Sequence, residues 1–111
     1  MEHAIDENEL MQMSFFRKLF CLGSKVDFYE LIASGAILID VRSPIEYAQG
    51  KPSNSQNIPL DKIEGKIEVI KKLNKTVVLC CASGMRSGRA TSILKKNGIE
   101  AYNGGVWENF T

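Results

Sequence analysis

Hydrophobic and polar positions follow two different rhythms along the chain. Two runs, 36–39 and 76–80, are apolar apart from Thr76 and have the length of strands. A run that is apolar throughout is typical of a strand buried on both faces of a parallel sheet. Elsewhere apolar residues recur at helical spacing, most clearly over 60–73 and 85–97. The pattern therefore predicts strands that alternate with helices.

Local signals place the shorter elements. Asp27 is suited to cap a short helix, and Pro44 is suited to the first turn of another. Short strands are predicted at 57–59 and 100–102, with a polar loop over 49–56. The order of elements predicts an α/β fold with an open, mainly parallel sheet of four to five strands, flanked by helices on both faces.

The chain divides into a leader and one domain. Residues 1–25 are predicted to form an N-terminal leader with an amphipathic helix, and residues 26–111 the domain. The start of the leader is polar and acidic, whereas 11–20 carries aromatic and aliphatic residues at helical spacing. We expect this helix to dock on the domain; the alternatives are a partner-binding helix or a membrane-surface helix.

Composition narrows the class of protein. The 111 residues are 44% hydrophobic and 24% charged, which suits one globular domain, and the formal net charge is +1. Such a balance predicts neither nucleic acid nor an acidic membrane surface as a partner. No apolar run approaches the roughly 20 residues that cross a bilayer, and the acidic start is unlike a signal peptide. We expect a cytoplasmic protein.

The cysteines do not form a disulfide framework. There are three, Cys21, Cys80 and Cys81, an odd number with two adjacent in the sequence. The only histidine is His3, so the ligand set of a zinc site is missing, and we expect neither a metal nor a cofactor. Thiols that stay reduced fit a cytoplasmic setting.

Cys81 occupies the position of a reactive thiol. It follows a predicted buried strand and precedes a predicted helix, so free N–H groups and the positive end of the helix dipole should lower its pKa. Arg86 adds a positive charge, Gly84 lets the backbone curl round the sulfur, and Ser87 offers a hydroxyl and an N–H. The alternative is a small buried hydrophobe, as we expect for Cys80, which should point away from Cys81.

The sequence around Cys81 resembles the active-site loop of rhodanese-homology domains, and three further motifs occur in the order typical of that family. The similar segments are Cys81-Ala82-Ser83-Gly84-Met85-Arg86-Ser87, Leu38-Ile39-Asp40-Val41-Arg42 with Glu46-Tyr47, Asn57-Ile58-Pro59-Leu60, and Gly104-Gly105 with Trp107. The resemblance covers about residues 26–107.

The resemblance implies a sulfurtransferase. Cys81 would take sulfane sulfur from thiosulfate or a persulfide, hold it as a persulfide, and pass it to cyanide or a thiol, with Arg86 as the second catalytic residue. The implied substrate-binding residues are those of the loop and of the first motif: Ala82, Ser83, Gly84, Met85, Ser87, Asp40 and Arg42.

Several residues of these motifs have structural alternatives. For Asp40 and Arg42 the alternative is a structural ion pair or a capping network. Glu46 is expected to anchor Arg42 or the backbone, and Trp107 to fill the core. The chain departs from the family pattern in the loop Gly50–Ser55, where Lys51 replaces a histidine and Asn54 replaces a glycine; Lys51 would add charge near the site.

Other functions share this fold. The first alternative is a phosphatase or arsenate reductase. The resemblance implies that phosphatases of this fold carry one more residue between cysteine and arginine, whereas the loop here is six residues long from Cys81 to Arg86. The second is a non-enzymatic docking module, and the third a relay that receives persulfide from a partner protein.

Overall fold

The computed structural model describes residues 26–111, so the predicted leader and amphipathic helix, residues 1–25, lie outside the described part. Within that part the strands are β1 (Ile37–Asp40), β2 (Ser55–Asn57), β3 (Val77–Cys81) and β4 (Ala101–Val106), and the helices are α1 (Phe28–Ala33), α2 (Pro44–Gln49), α3 (Ile67–Leu73) and α4 (Met85–Lys96). The four strands form one sheet in the order β2-β1-β3-β4, with every neighbouring pair parallel. This confirms the predicted open parallel α/β sheet.

Hydrophobic clusters cover both faces of the sheet. All five residues of β3 are buried, as expected for a central strand, and their side chains alternate between the two clusters. One cluster joins alternate strand residues, including Leu79 and Cys81, to α3 and α4. The other joins the intervening residues, including Val78 and Cys80, to α1 and the short 3-10 helix Trp107–Phe110.

Asp27 and Pro44 act as predicted. The Asp27 side chain accepts a hydrogen bond from the Glu30 N–H at the start of α1. Pro44 lies in the first turn of α2, behind the capping residue Ser43. α1 ends at Ala33, and Gly35 just beyond it takes a φ of 110°, which favours glycine.

The predicted bounds of the second strand and of the third helix were wrong. The strand expected at 57–59 lies instead at Ser55–Asn57, because it pairs with the three residues of β1 that end at Asp40 and stops with them. The helix expected over 60–73 begins only at Ile67, after 3-10 turns at Leu60–Lys62 and Glu64–Lys66. Gly65 lies in this stretch, and glycine disfavours a continuous α-helix.

The last strand is longer than the predicted 100–102. It runs to Val106 because the register shifts between Leu79 and Cys80, so that Asn103 pairs with Leu79 and Gly105 with Cys80. Gly104 is therefore the extra residue of a bulge. Among residues 26–111 no helix combines the length and the apolar character that crossing a bilayer demands.

Candidate functional site

The Cys81 sulfur lies in a cradle of hydrogen-bond donors at the end of β3. Its Sγ accepts from the Gly84 N–H at 3.0 Å, the Ser87 N–H at 3.4 Å and the Ser87 hydroxyl at 3.3 Å. Cys81 and Ser87 are both fully buried. Several donors aimed at one sulfur form a site that stabilises negative charge.

This environment alters the acidity of the thiol. Burial by itself raises the pKa of Cys81, but the hydrogen bonds from Ser87, from the Ser83 backbone and from Gly84 outweigh it and lower the pKa below its ordinary value. Cys80 lies on the opposite face, and within residues 26–111 its sulfur has no such donors. Burial raises the pKa of Cys80 to about 12, so the two neighbouring thiols differ in reactivity.

Glycine at position 84 makes the turn between strand and helix. Gly84 has a φ of 97° and caps α4 without a side-chain hydrogen bond, which leaves the N–H groups of the first turn available to the sulfur. Ala82, Ser83 and Met85 are exposed and form the outer rim of the loop. Ser83 Oγ accepts from the Met85 N–H at 3.4 Å and so supports the turn.

Arg86 is paired with Glu46, an interaction that no sequence pattern predicted. The Arg86 nitrogens lie 2.7 and 3.0 Å from the two Glu46 carboxylate oxygens. Glu46 was expected to anchor Arg42 or the backbone. Only its backbone carbonyl accepts from Arg42, at 3.3 Å, while its carboxylate holds Arg86 and also caps the Ser43 N–H. Pairing with Arg86 lowers the pKa of Glu46 to about 2.

Asp40 and Arg42 form a buried ion pair beside the site. Arg42 Nε lies 3.0 and 2.9 Å from the two Asp40 oxygens, and Arg42 is only 4% exposed. The guanidinium also donates to the Gly50 carbonyl at 2.7 Å and stacks on the Trp107 ring at 4.2 Å. All three of its side-chain nitrogens therefore contact protein groups in this structure.

The departures from the family pattern have local explanations. Asn54, which replaces a glycine, takes a φ of 53°, and asparagine tolerates this left-handed conformation better than most residues. The Lys51 ammonium lies 5.4 Å from the centre of the Tyr47 ring, a cation–π contact on α2. Tyr47 in turn donates its hydroxyl proton to the Ser55 carbonyl at 2.9 Å, which ties this loop to the helix.

Asn103 also joins the site, although no motif indicated it. From β4 its side chain contacts Ser87, Gly84 and Gly105, at distances between 2.7 and 3.0 Å. The only signal in the sequence was a polar residue immediately before Gly104-Gly105. Pairing of β4 with β3, which determines the direction of the side chain, was not visible there.

Comparison with known proteins supports the resemblance. The Rhodanese-like domain family matches residues 24–108. The uncharacterized protein YqhL of Bacillus subtilis is 44% identical over 69 residues, which are 61% of this chain and 54% of that protein. A Schizosaccharomyces pombe protein named putative thiosulfate sulfurtransferase, mitochondrial, is 39% identical over 76 residues, 58% of this chain and 54% of that protein. The chain spans about half the length of both relatives.

A solved structure shows the same fold. The structure described as rhodanese with anions from Escherichia coli superposes with a TM-score of 0.61 at 32% identity, and the alignment covers 68% of this chain and 91% of that one. The similarity thus includes most of the described residues and nearly the whole of the other protein.

Proposed function

This chain belongs to the Rhodanese-like domain family, and from that premise we propose that it is a sulfurtransferase whose Cys81 carries the transferred sulfur as a persulfide. The observation that carries the proposal is the cradle, in which three donor groups from Gly84 and Ser87 approach one sulfur. A cradle of this kind favours thiolate over thiol, and the thiolate is the nucleophile.

The reaction proceeds in two displacements. In the first, the Cys81 thiolate attacks the sulfane sulfur of thiosulfate; an S–S bond forms to Cys81, the S–S bond of thiosulfate breaks, and sulfite leaves with the electron pair. In the second, cyanide or a thiolate attacks the outer sulfur of the persulfide, and the Cys81 thiolate is released. No oxidant or reductant is consumed, because sulfane sulfur moves from one nucleophile to another.

The charge moves outward when the persulfide forms. Sγ becomes an uncharged divalent sulfur, and the new anion lies about 2 Å away on the outer sulfur. The donors already lie within 3.4 Å of Sγ, so no second sulfur fits between them and Sγ. We therefore propose that the Cys81 side chain turns outward and that the outer sulfur takes its place in the cradle.

The remaining site residues bind the donor, form the rim of the site or support the neighbouring loop. We assign Arg86 to binding the anionic donor at the rim, with its direction fixed by Glu46. Ala82, Ser83 and Met85 supply the exposed rim that a donor and an acceptor meet. Asp40 and Arg42 support the neighbouring loop from the protein interior. Their buried ion pair holds the guanidinium in place, and the guanidinium donates to the Gly50 carbonyl and contacts the Trp107 ring. We propose thiosulfate or a persulfide as donor, and cyanide, a thiol or a protein thiol as acceptor, in the cytoplasm.

Intact mass spectrometry tests the proposal directly. Incubation with thiosulfate should add the mass of one sulfur atom to the protein, and subsequent cyanide should remove it and yield thiocyanate. Cys81→Ser should accept no sulfur while keeping its circular dichroism spectrum, and Cys80→Ala is the matched control that should accept it. Sulfur transfer retained by Cys81→Ser, or hydrolysis of an aryl phosphate through Cys81 faster than sulfur transfer, would overturn the proposal.

A further inference from the structure

The Asn103 side chain connects the middle and the far end of the cysteine loop, at Gly84 and Ser87, to β4. Its Oδ1 accepts from the Ser87 hydroxyl at 2.7 Å and from the Gly105 N–H at 3.0 Å. Its Nδ2 donates to the Gly84 carbonyl at 2.9 Å. Gly88 leaves room for this amide, because a Cβ at that position would lie 3.2 Å from Nδ2.

The orientation of the Asn103 amide follows from its partners. The Gly105 N–H can only donate, so it requires the amide oxygen, and the Gly84 carbonyl can only accept, so it requires the amide nitrogen. A reversed amide would set two donors against each other and two acceptors against each other. The Ser87 hydroxyl, which faces the same oxygen, can therefore hydrogen-bond to Asn103 only as the donor.

That proton is also the one that Cys81 needs. A serine hydroxyl has a single proton, and the Ser87 oxygen lies 3.3 Å from Cys81 Sγ and 2.7 Å from Asn103 Oδ1. We propose that Asn103 is a positioning residue that competes with the Cys81 thiolate for the hydroxyl proton of Ser87. The inference deepens the proposed function, but its test measures ionisation of Cys81 and needs no sulfur donor.

The competition makes the hydroxyl a two-position switch. While Cys81 is a thiol, its S–H donates to the Ser87 oxygen and Ser87 donates to Asn103. When the thiol loses its proton to solvent, the Ser87 hydroxyl turns to Sγ, and Asn103 Oδ1 keeps only the Gly105 N–H. Once the persulfide forms, its anionic outer sulfur takes the place of Sγ in the cradle, and the Ser87 proton stays directed at sulfur. Asn103 thus favours the state in which the sulfur in the cradle carries no charge, the Cys81 thiol.

The charged groups near Cys81 are already paired and do not take part in this exchange. On α4 and α2, Arg86 and Glu46 hold each other, and on the β1 side Asp40 and Arg42 do the same. The adjacent thiol, Cys80, points to the opposite face of the sheet. A change in Cys81 ionisation on substitution of Asn103 therefore reports on the Ser87 proton.

The test is the pH profile of Cys81 alkylation by iodoacetamide, with the modified cysteine identified by peptide fragmentation. The apparent pKa is taken from the shape of the profile and not from the absolute rates. A change in the access of iodoacetamide to the buried sulfur is then not mistaken for a change in the pKa of Cys81. Asn103→Ala should lower the apparent pKa by about half a unit, which gives about threefold more thiolate below the pKa. Ser87→Ala should raise it more in the Asn103→Ala background than in the wild type. Ser92→Ala, an exposed serine of α4, should change nothing.

Two results contradict the inference. An apparent pKa that rises in Asn103→Ala would show that the side chain acts only as a clamp on Gly84, whose loosened N–H would then stabilise the thiolate less. An Asn103→Ala effect that is the same with and without the Ser87 hydroxyl would show that no proton is contested. Asn103→Leu, which keeps the branched shape and the number of side-chain heavy atoms and lacks the acceptor, gives the same readout if the alanine variant does not fold.

Discussion

Glu46 and Arg86 meet across the gap between α2 and α4, with both terminal nitrogens of the guanidinium on the two carboxylate oxygens at 2.7 and 3.0 Å. Arg86 is the one cation of the loop 81–87, so this contact decides how much positive charge an incoming donor meets. The carboxylate is itself held by the Ser43 N–H in a capping box, which fixes the direction from which it approaches Arg86.

Replacing Glu46 by glutamine distinguishes the effect of the Glu46 charge from the effect of Glu46 on the position of Arg86. Glutamine retains an oxygen that accepts from Arg86 but removes the negative charge, so the KM for thiosulfate should fall about twofold, as expected for an exposed pair worth about 0.5 kcal/mol. Glu46→Ala, which also loses the position of Arg86, should raise KM instead. Steady-state thiocyanate formation measures both. Equal increases of KM in the two variants would mean that Glu46 acts by position alone.

Acidification should lower the free energy of unfolding by the contribution of the Glu46–Arg86 pair. Glu46 has an ordinary pKa of 4.5, which pairing with Arg86 lowers to about 2 in the folded protein. Because the folded pKa is depressed, the stabilisation is complete above pH 4.5 and is lost as the pH falls from 4.5 toward 2. Both side chains are more than a third exposed, so the loss should stay below about 1 kcal/mol.

Urea denaturation of wild type and Glu46→Gln on both sides of this pH range measures that loss. The stability difference between the two proteins should be present at neutral pH and should shrink in acid. A difference that is unchanged between neutral pH and pH below about 3 would contradict a lowered Glu46 pKa.

Cys80 should take no part in sulfur transfer. Burial raises its pKa to about 12, so iodoacetamide at neutral pH should modify Cys81 and leave Cys80 intact. Cys80→Ala should cost about 1 kcal/mol of stability for the trimmed core side chain and leave sulfur transfer within about threefold of wild type. Loss of transfer in a folded Cys80→Ala protein would instead indicate a relay between the two neighbouring sulfurs.

Gly104 should tolerate no side chain. A Cβ there would lie 2.9 Å from Phe110 Cζ and from Val78 Cγ1, and 3.1 Å from the Leu79 carbonyl oxygen. Gly104→Ala should therefore destabilise the protein by about 1–3 kcal/mol, as overpacking does in a core. Gly65→Ala, where a Cβ meets nothing within 4 Å, is the matched control and should be neutral or slightly stabilising. Equal denaturation midpoints for the two variants would contradict this account of the bulge.

The features that could be predicted from the sequence are those that depend on one continuous stretch of residues. The apolar runs before Asp40 and up to Cys80 identified the two central strands, because both faces of these strands are buried. β2 carries the polar residues Ser55–Asn57 and takes its strand conformation from pairing with β1, so its position followed no hydrophobic pattern. Propensity and periodicity describe neighbours in the chain, and pairing partners lie outside their reach.

The candidate site also has one part that could be predicted from the sequence and another that could not. Cys81, Gly84 and Ser87 were predicted because they lie within one short loop at the junction of a strand and a helix. Glu46 meets Arg86 across 40 positions of sequence, and Asn103 meets Ser87 across 16, so neither contact has a local signature. Both depend on how separate elements pack, which the order of the residues alone does not specify.

The two neighbouring cysteines of β3 also make the strand a reporter of its own assembly. Their side chains point to opposite faces, one toward α4 and one toward α1. A slip of the strand by one residue would turn each side chain to the other face, and in one direction of slip Cys80 would take the place of the reactive sulfur. Label on Cys80 relative to Cys81 therefore rises in molecules whose strand is slipped or unpaired, so an ordinary alkylating reagent can follow the alignment of this strand without an engineered label.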